Sequence, residues 1–460
     1  MSPPRRRNEK LRALLAEARW TQAALARSVN VLAAEIDLDL NYDRTAVAHW
    51  LSGTQPLPPV PELIAEALTR RLGRSISPVA AGLAHETSVP ADGRLSENGS
   101  PGEMALTHLC GMESDPARRV SARLQPYREA DLAQVSADPR AWAAHAVPPA
   151  RTAEGHHEGA GELTVVRLAV RFYAASFNAY GGRRARSSLA TYLADDIAPR
   201  LRESGDQDLH RGFLVEASRL SFLLARMHQD ASVHGLAQRH FTTALQLAAE
   251  SGDATAWAVV LRGLSAQGLE LGHRQIALHA AEAAAKSARA PDGATLAFLL
   301  SQLAVAQAAC GLRREAVASL GRAEHAVEAG EREAARTGPF DAYSRAAFEF
   351  QSAEVLRHLG NVPAARTALH RSLTRRPDDD HRGLALSHAQ YAEMLVGLGH
   401  VEEACSAWNS FLDHYVHLRS GAADLAVNRL RQLLSPFRQL PLAYAILHRT
   451  SALTSAVPRH

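Results

Sequence analysis

The sequence predicts an all-α chain in three parts: a compact helical head over residues 1–83, a largely irregular linker over 84–160, and an α-solenoid of helix pairs over 161–460. Three observations carry this reading. Alanine is abundant while aromatic residues make up only 5% of the 460 residues. That balance favours packed helices, because alanine is the best helix former and sheets lean on aromatic and β-branched side chains. Apolar residues recur at helical spacing at both ends of the chain. A fixed register of glycine, small and large residues recurs through the second half.

In the head, Asn8–Ala18 places Leu11, Leu14, Leu15 and Ala18 on one helical face. Thr21 is the N-cap of a second helix through Gln22, Leu25, Ala26 and Val29, in which Ala23, Ala24 and Ala26 permit close crossing. Asp43 is the N-cap of a third, Arg44–Leu51, with Val47, Trp50 and Leu51 on its buried side and Gly53 as its stop. Pro56–Pro61 then turns the chain into a fourth helix that runs to Leu72. The start is basic: Arg5, Arg6, Arg7, Lys10, Arg12, Arg19 and Arg27 stand against Glu9 and Glu17, although the whole chain carries only +3. A local positive excess on a balanced chain suits a phosphate-contacting surface.

The TQxxLA run at Thr21–Ala26, the WLSG at Trp50–Gly53, the proline turn and the LIAEAL at Leu63–Leu68 together resemble the repressor-type (XRE/Cro-like) helix-turn-helix family over residues 8–75. The resemblance implies double-stranded DNA as a partner and Arg44–Leu51 as the recognition helix. It leaves Arg44, Thr45, Ala48, His49 and Ser52 for base edges and backbone, with Arg44 able to pair with guanine and Thr45 or Ala48 to touch a thymine methyl. It puts Gln22 at a phosphate-contacting position, and Arg5, Arg6 and Arg7 along the backbone or in a minor groove. One departure stands out: the connection between the second and third helices is longer than in compact members, with its surplus in Asn30–Tyr42.

The linker is rich in Pro, Gly, Ser, Asp and His, as at Ser88–Gly102 and Pro148–Gly161, with short helices expected around Ala117–Arg128 and Ala130–Val135. Beyond it the register begins. Gly272, Gly311, Gly360 and Gly399 are each followed five residues later by Ala277, Ala316, Ala365 or Ala404. Nine residues on stand Ala281, Leu320, Leu369 or Trp408, and twelve on Ala284, Ala323, Ser372 or Phe411. Seven before each glycine sits Ser265, Ala304, Ala353 or Ala392. A further copy without the glycine has Ala225, Ala237, Phe241 and Ala244. The small upstream residue lets two helices approach, the glycine ends the first helix, and the downstream apolar set lays one stripe of the second helix on the first.

These offsets resemble the tetratricopeptide repeat, at the longer glycine spacings of 39, 49 and 39 residues. The resemblance implies a concave face lined by the first helix of each pair. On it fall Arg219, Phe222, Arg226, Gln229, Arg262, Phe298, Ser301, Phe350, Glu354, Arg357 and Glu393, a set suited to a peptide or protein partner. The whole arrangement is similar to actinobacterial regulators that join such a head to such repeats, some of which restrain sporulation and antibiotic production. It implies a dimeric transcriptional regulator of differentiation or secondary metabolism. The competing expectation is a docking scaffold whose head no longer binds DNA.

An enzyme is not expected. No Walker-type loop is present, and no GxGxxG follows a strand. Gly181-Gly182-Arg183-Arg184 reads as a helix break, His156-His157-Glu158 with His145 as solvated linker, and Asp378–Asp380 before His381 as a polar loop and helix start. No catalytic residue, cofactor or metal is therefore expected. Cys110, Cys310 and Cys405 form no CxxC pair, which fits a reducing cytosol. No signal-peptide pattern and no apolar run of about 18 residues is present, so the expectation is a cytoplasmic protein with no membrane partner.

Overall fold

The computed structural model describes residues 7–36, 38–84, 100–128, 158–203, 206–288, 291–333 and 343–456. Every regular element among them is helical, so the fold is all-α with a helical repeat-like C-terminal region. The head comprises α1 (Glu9–Glu17), α2 (Gln22–Ala34), α3 (Arg44–Leu51) and α4 (Val60–Leu72). Next come α5 (Pro101–Ser114), α6 (Pro116–Arg123), α7 (Glu158–Tyr180), α8 (Gly182–Tyr192), a π-helical turn (Leu193–Ile197) and α9 (Ala198–Glu203). Five helix pairs follow: α10 (Gln207–Asp230) with α11 (His234–Ser251), α12 (Ala254–Glu270) with α13 (Arg274–Ser287), and α14 (Gly293–Ala309) with α15 (Arg313–Glu333). The last two are α16 (Arg345–His358) with α17 (Val362–Arg375) and α18 (His381–Gly397) with α19 (Val401–Tyr415), before α20 (Gly421–Leu434) and α21 (Pro441–Ala456). No helix among the described residues is long and apolar enough to cross a membrane.

The repeat register matches the packing. Ala225, Ser265, Ala304, Ala353 and Ala392 are all buried, as are the alanines five residues past each turn. Nine residues past the turn, Leu320 is only half-buried while Phe241, Ala281, Leu369 and Trp408 are buried. The four register glycines have φ of 89°, 81°, 76° and 83°, the left-handed conformation that stops a helix. In the copy that lacks glycine, Ser232 occupies the same position at φ 64°. A side chain there meets a steric penalty that glycine does not.

Two compact units divide the chain. The first draws its described residues from Met1–His156, Ala190–Ala225 and Val233–Ala283. The head core in it gathers Leu11, Leu25, Val29, Val47, Trp50, Leu63, Ile64 and Leu68. It extends past α4 to Ile76, Ala81 and Leu83. Asn8, the α1 N-cap, donates from Nδ2 to Ala81 O at 2.9 Å and Gly82 O at 3.1 Å, so the head closes near residue 84. Helix α4 is buried from Val60 to Thr69 except at Glu62, which is half-buried. Its Glu66 is 5% exposed. That carboxylate accepts from Arg70 Nε at 2.8 Å and is hydrogen-bonded to His273 Nε2 at 2.8 Å, in the turn before α13. Arg70 also grips Glu35 through both terminal nitrogens at 2.7 and 2.9 Å, and Tyr127 stacks on His273 with centroids 5.2 Å apart.

Residues 100–128 of the expected linker also belong to this unit. Helix α5, which the Gly- and Pro-rich composition did not signal, starts at N-cap Ser100 with Pro101 in its first turn. Glu250 of α11 accepts from Ser100 Oγ at 2.8 Å and Gly102 N at 2.7 Å. Gln238 binds both the N–H (2.9 Å) and the C=O (2.6 Å) of Arg128. A β-carbon on Gly235 would meet Gln125 O at 1.9 Å, so glycine is required for that strand of backbone to pass. The helix expected around Ala130–Val135 lies outside the described residues.

The second unit draws on His157–Leu189, Arg226–Ser232 and Ala284–His460. Asp230, buried, ties three of its elements together. It accepts from Gly182 N at 2.9 Å, Ser420 Oγ at 3.0 Å and Arg382 Nε at 2.7 Å. A β-carbon on Gly182 would lie 2.3 Å from Met227 O, which explains the glycine at this helix break. Phe177 of α7 lies under two guanidinium groups, those of Arg226 at 5.7 Å and Arg382 at 4.6 Å.

Two stability predictions follow from these turns. Ser232→Gly relieves the left-handed strain and raises the free energy of unfolding in urea by roughly 0.5–1 kcal/mol; a fall would mean the serine is held there by compensating contacts. His273→Ala removes one donor from buried Glu66 and lowers stability by about 2 kcal/mol; an unchanged urea midpoint would show that Arg70 alone satisfies the carboxylate.

Candidate nucleic-acid interface

Helix α3 is built as its sequence demands. Asp43 caps it, its side chain accepting from Ala46 N at 3.0 Å, and Gly53 ends it at φ 100°. The Asp43 carboxyl is held below its ordinary range by the Ala46 amide first and by the Thr45 hydroxyl second. Val47, Trp50 and Leu51 are buried in the head core. Arg44, Thr45, Ala48, His49 and Ser52 are all exposed, so the five residues expected to face DNA share the outward side of one short helix.

Their chemistry differs. Ser52 Oγ donates to His49 O at 2.8 Å, and the Thr45 hydroxyl is turned to Asp43. Those two hydroxyl protons are engaged locally, leaving the Thr45 methyl and the Ala48 methyl as apolar contacts. Arg44 has no ion-pair partner among the described residues, and the His49 ring is exposed. These two carry the face's outward-pointing polar groups. Gln22 is half-buried at the first position of α2, behind N-cap Thr21, whose side chain accepts from Ala24 N at 3.1 Å. Arg7 is exposed; Arg5 and Arg6 lie outside the described residues.

Other cations of the head are partly engaged. Arg12 lies 3.7 Å from Glu9, Lys10 Nζ donates to Val79 O at 3.4 Å, and Arg74 pairs with Glu17 at 2.6 Å. Arg19 and Arg27 are exposed, and sequence reasoning counted them without assigning a role. Arg27 borders a surface cleft of about 480 Å³ between α2 and α4, lined also by Trp20, Val31 and Arg71. There Arg71 sits 5.9 Å from the Trp20 ring centroid and donates to Ala18 O at 3.0 Å.

The surplus connection is ordered by its own ends. Helix α2 continues to Ala34, so part of the extra length is helix. Asn30 Nδ2 then donates to Tyr42 O at 2.9 Å, and Tyr42 N donates to Asn30 Oδ1 at 3.0 Å. Tyr42 packs edge-on against Trp50 with centroids 5.1 Å apart, and Leu38 and Leu40 lean on the head core. The two residues that bound the expected insertion thus clasp each other beside α3.

The residues expected to line a repeat groove differ in exposure. In the first unit, Phe222 is buried against Phe241 with centroids 5.7 Å apart, and Arg262 is also buried. Arg219 is half-buried and pairs with Glu216 at 3.0 Å. In the second unit, Ser301 is fully buried, its hydroxyl without a hydrogen-bond partner among the described residues. Phe222, Arg262 and Ser301 are therefore corrected from an exposed groove lining to buried positions. Arg226 covers Phe177, and Gln229 is half-buried. Phe298, Phe350, Glu354 and Glu393 are half-buried and Arg357 exposed, on the first helices of successive pairs. Arg357 pairs with Glu354 at 2.9 Å, Glu393 with Arg429 at 2.6 Å, and Arg376 lies 5.8 Å over Phe350.

A family model, that of the SP15 N-terminal domain, matches residues 11–84, the same span that the head core closes. No curated protein matches the chain.

Asn30→Ala removes both bonds of the clasp, and a head opened at Tyr42 loses about 1–3 kcal/mol. Thermal unfolding followed by Trp fluorescence, with Trp50 beside Tyr42, checks this. An unshifted transition would show that Leu38 and Leu40 hold the connection without Asn30.

Proposed function

We propose that the protein is a cytoplasmic DNA-binding transcriptional regulator, used as a dimer, whose repeats take a peptide or protein partner. One observation carries the reading: α3 buries Val47, Trp50 and Leu51 and turns Arg44, Thr45, Ala48, His49 and Ser52 outward from a capped, well-packed frame. A short exposed helix of this kind fits the major groove, where Arg44 reads guanine O6 and N7 and the methyls of Thr45 and Ala48 meet thymine. Gln22 and Arg7 anchor phosphates. A dimer fits because one eight-residue helix reads few base pairs, and paired half-sites raise specificity. The partner-binding face is the set Phe298, Phe350, Glu354, Arg357 and Glu393, which combines aromatic and charged groups.

Control by the repeats has a physical route inside the first unit. The turn before α13 is bonded through His273 to Glu66 of α4, and α4 shares the head core with α3. A partner that moves that turn changes the environment of α4 and thereby the DNA-reading face. Such coupling requires the partner to bind the two arrangements with different affinity.

The test is selection of a binding site from a random duplex pool, then fluorescence anisotropy. Arg44→Ala should weaken the selected site by about 10- to 100-fold and random DNA far less, since one bidentate base contact is worth about 1–3 kcal/mol. Affinity should fall steeply between 50 and 200 mM salt, roughly tenfold or more for a few phosphate contacts. Equal loss on both DNAs would remove Arg44 from base reading. No enrichment from the pool would favour the scaffold reading, with the head as a protein contact.

A further inference from the structure

Helices α2 and α4 leave a cleft of about 480 Å³ between them on the head. On α2 it is lined by Ala24, Arg27, Ser28 and Val31, which fall at i, i+3, i+4 and i+7 and so share one face. On α4 it is lined by Ala67, Arg70 and Arg71, again at i, i+3 and i+4. The space exists because each helix contributes an alanine here, where a longer side chain would fill it. Ala67 and Leu32 are buried and give the cleft an apolar lining, to which half-buried Trp20 adds an aromatic ring. Val31 keeps 64% of its surface exposed beside them.

The charge of the lining has one sign. Three arginines border the cleft, and no carboxylate joins them among the described lining residues. The three differ in what they have left to offer. Arg70 is committed, its Nε to Glu66 and both terminal nitrogens to Glu35. Arg71 is held by Nε at Ala18 O, 3.0 Å away, and lies 5.9 Å from the Trp20 ring centroid, so its terminal N–H groups are oriented but not consumed by that bond. Arg27 is exposed and has no ion-pair partner among the described residues.

We propose that this cleft binds a small organic anion in which a flat apolar ring system carries a carboxylate. Its volume lies within the range of about 300–1,000 Å³ usual for small-molecule sites, and its lining has their character, apolar walls with a few polar groups. Guanidinium groups meet a carboxylate through paired, charge-assisted N–H bonds, which suits Arg27 and Arg71. A ring laid on Trp20 and Val31 removes exposed apolar surface from water. A neutral ligand would leave the two cations unanswered, and a bare inorganic anion would leave the apolar lining wet. A ligand held here touches α2 and α4 together, and both share the head core with α3. Binding in the cleft is independent of whether the head binds DNA.

The test titrates the full-length protein, without DNA, with 2-naphthoate by isothermal calorimetry, beside neutral 2-naphthalenemethanol and inorganic phosphate. One saturable site is expected for naphthoate, with a Kd of about 1 mM or tighter, the range a ligand of this size reaches. The alcohol and phosphate should each bind about tenfold more weakly or not at all. Arg27→Gln and Arg71→Gln, both at exposed positions, should each weaken naphthoate by about tenfold. Val31→Glu sets a like charge in the lining at an exposed position and should weaken it at least as much, with thermal melts showing that the head still folds. Arg12→Gln, on α1 and outside the lining, should leave binding unchanged. The absence of saturable binding, equal binding of the alcohol, or an affinity unmoved by all three cleft variants overturns the site. Phosphate bound as tightly as naphthoate overturns it too, and marks these arginines as a contact for a polyanion.

Discussion

A carboxylate can be buried only where donors converge on it, and that requirement governs how this chain is held together. Leaving an ionised group unpaired away from water costs several kcal/mol, so the surrounding elements must be placed to pair it. In the first unit the group is Glu66, in the middle of a helix that is enclosed along most of its length. Arg70 reaches it from one turn along the same helix, and His273 reaches it from about two hundred residues away in sequence. Arg70 is itself anchored on Glu35, just past the end of α2, so α2, α4 and the α13 turn are bonded into one arrangement. Asp230 does the equivalent in the second unit for the starts of α8 and α20 and for Arg382 of α18. Ion pairs of this kind add little net stability compared with apolar packing. What they supply is register, because any other arrangement leaves the carboxylate bare.

The parts legible in the sequence were those set by local rules. Caps at Thr21 and Asp43, the stop at Gly53 and the burial of Val47, Trp50 and Leu51 depend on residues within a few positions of one another. The repeat register was legible for the same reason, since a glycine with positive φ and an apolar stripe are read along one helix pair. Interactions that depend on distant residues were not. Glu66 looks in sequence like a solvated residue in an amphipathic helix, and nothing near it announces His273. Asn30 and Tyr42 bounded a surplus whose meaning lies in a side-chain-to-backbone clasp between its own ends. Helix α5 was obscured by Gly102, Gly111 and its flanking Pro and Ser residues, although Ser100-Pro101 with Glu103 is a helix-start pattern.

The groove residues mark the limit of register reading. A repeat pattern assigns a residue to the first helix of a pair, but one position along a helix turns a side chain by about 100°. Phe222, Arg262 and Ser301 lie on the inner side of that turn, while Phe350, Glu354 and Arg357 lie nearer the surface. Apolar packing explains Phe222, which forms an edge-to-face pair with Phe241 of the next helix. The remaining surface charges are largely paired with one another, as in Glu354 with Arg357 and Glu393 with Arg429. A partner settling there, as proposed, would gain most from the aromatic faces of Phe298 and Phe350, and would have to exchange existing ion pairs for its own.

The cap of α3 would constrain how the head meets a polyanion such as the DNA proposed for it. Helix N-termini attract phosphate through free amide groups. Here Asp43 already takes the Ala46 amide, and its carboxyl is held in the charged form. The leading end of α3 therefore presents a negative charge where a phosphate would otherwise dock, and this end is repelled from the backbone. Arg44, adjacent in sequence and unpaired among the described residues, reverses the sign one residue further on. If the head binds DNA as proposed, the helix would be best accommodated with Arg44 directed at base edges and phosphate contacts drawn from elsewhere on the head, at Gln22, Arg7, Arg19 or Arg27. Under that proposal, charge at the cap would act against non-specific seating of the helix end, and base contacts would have to supply more of the attachment at this end of the helix.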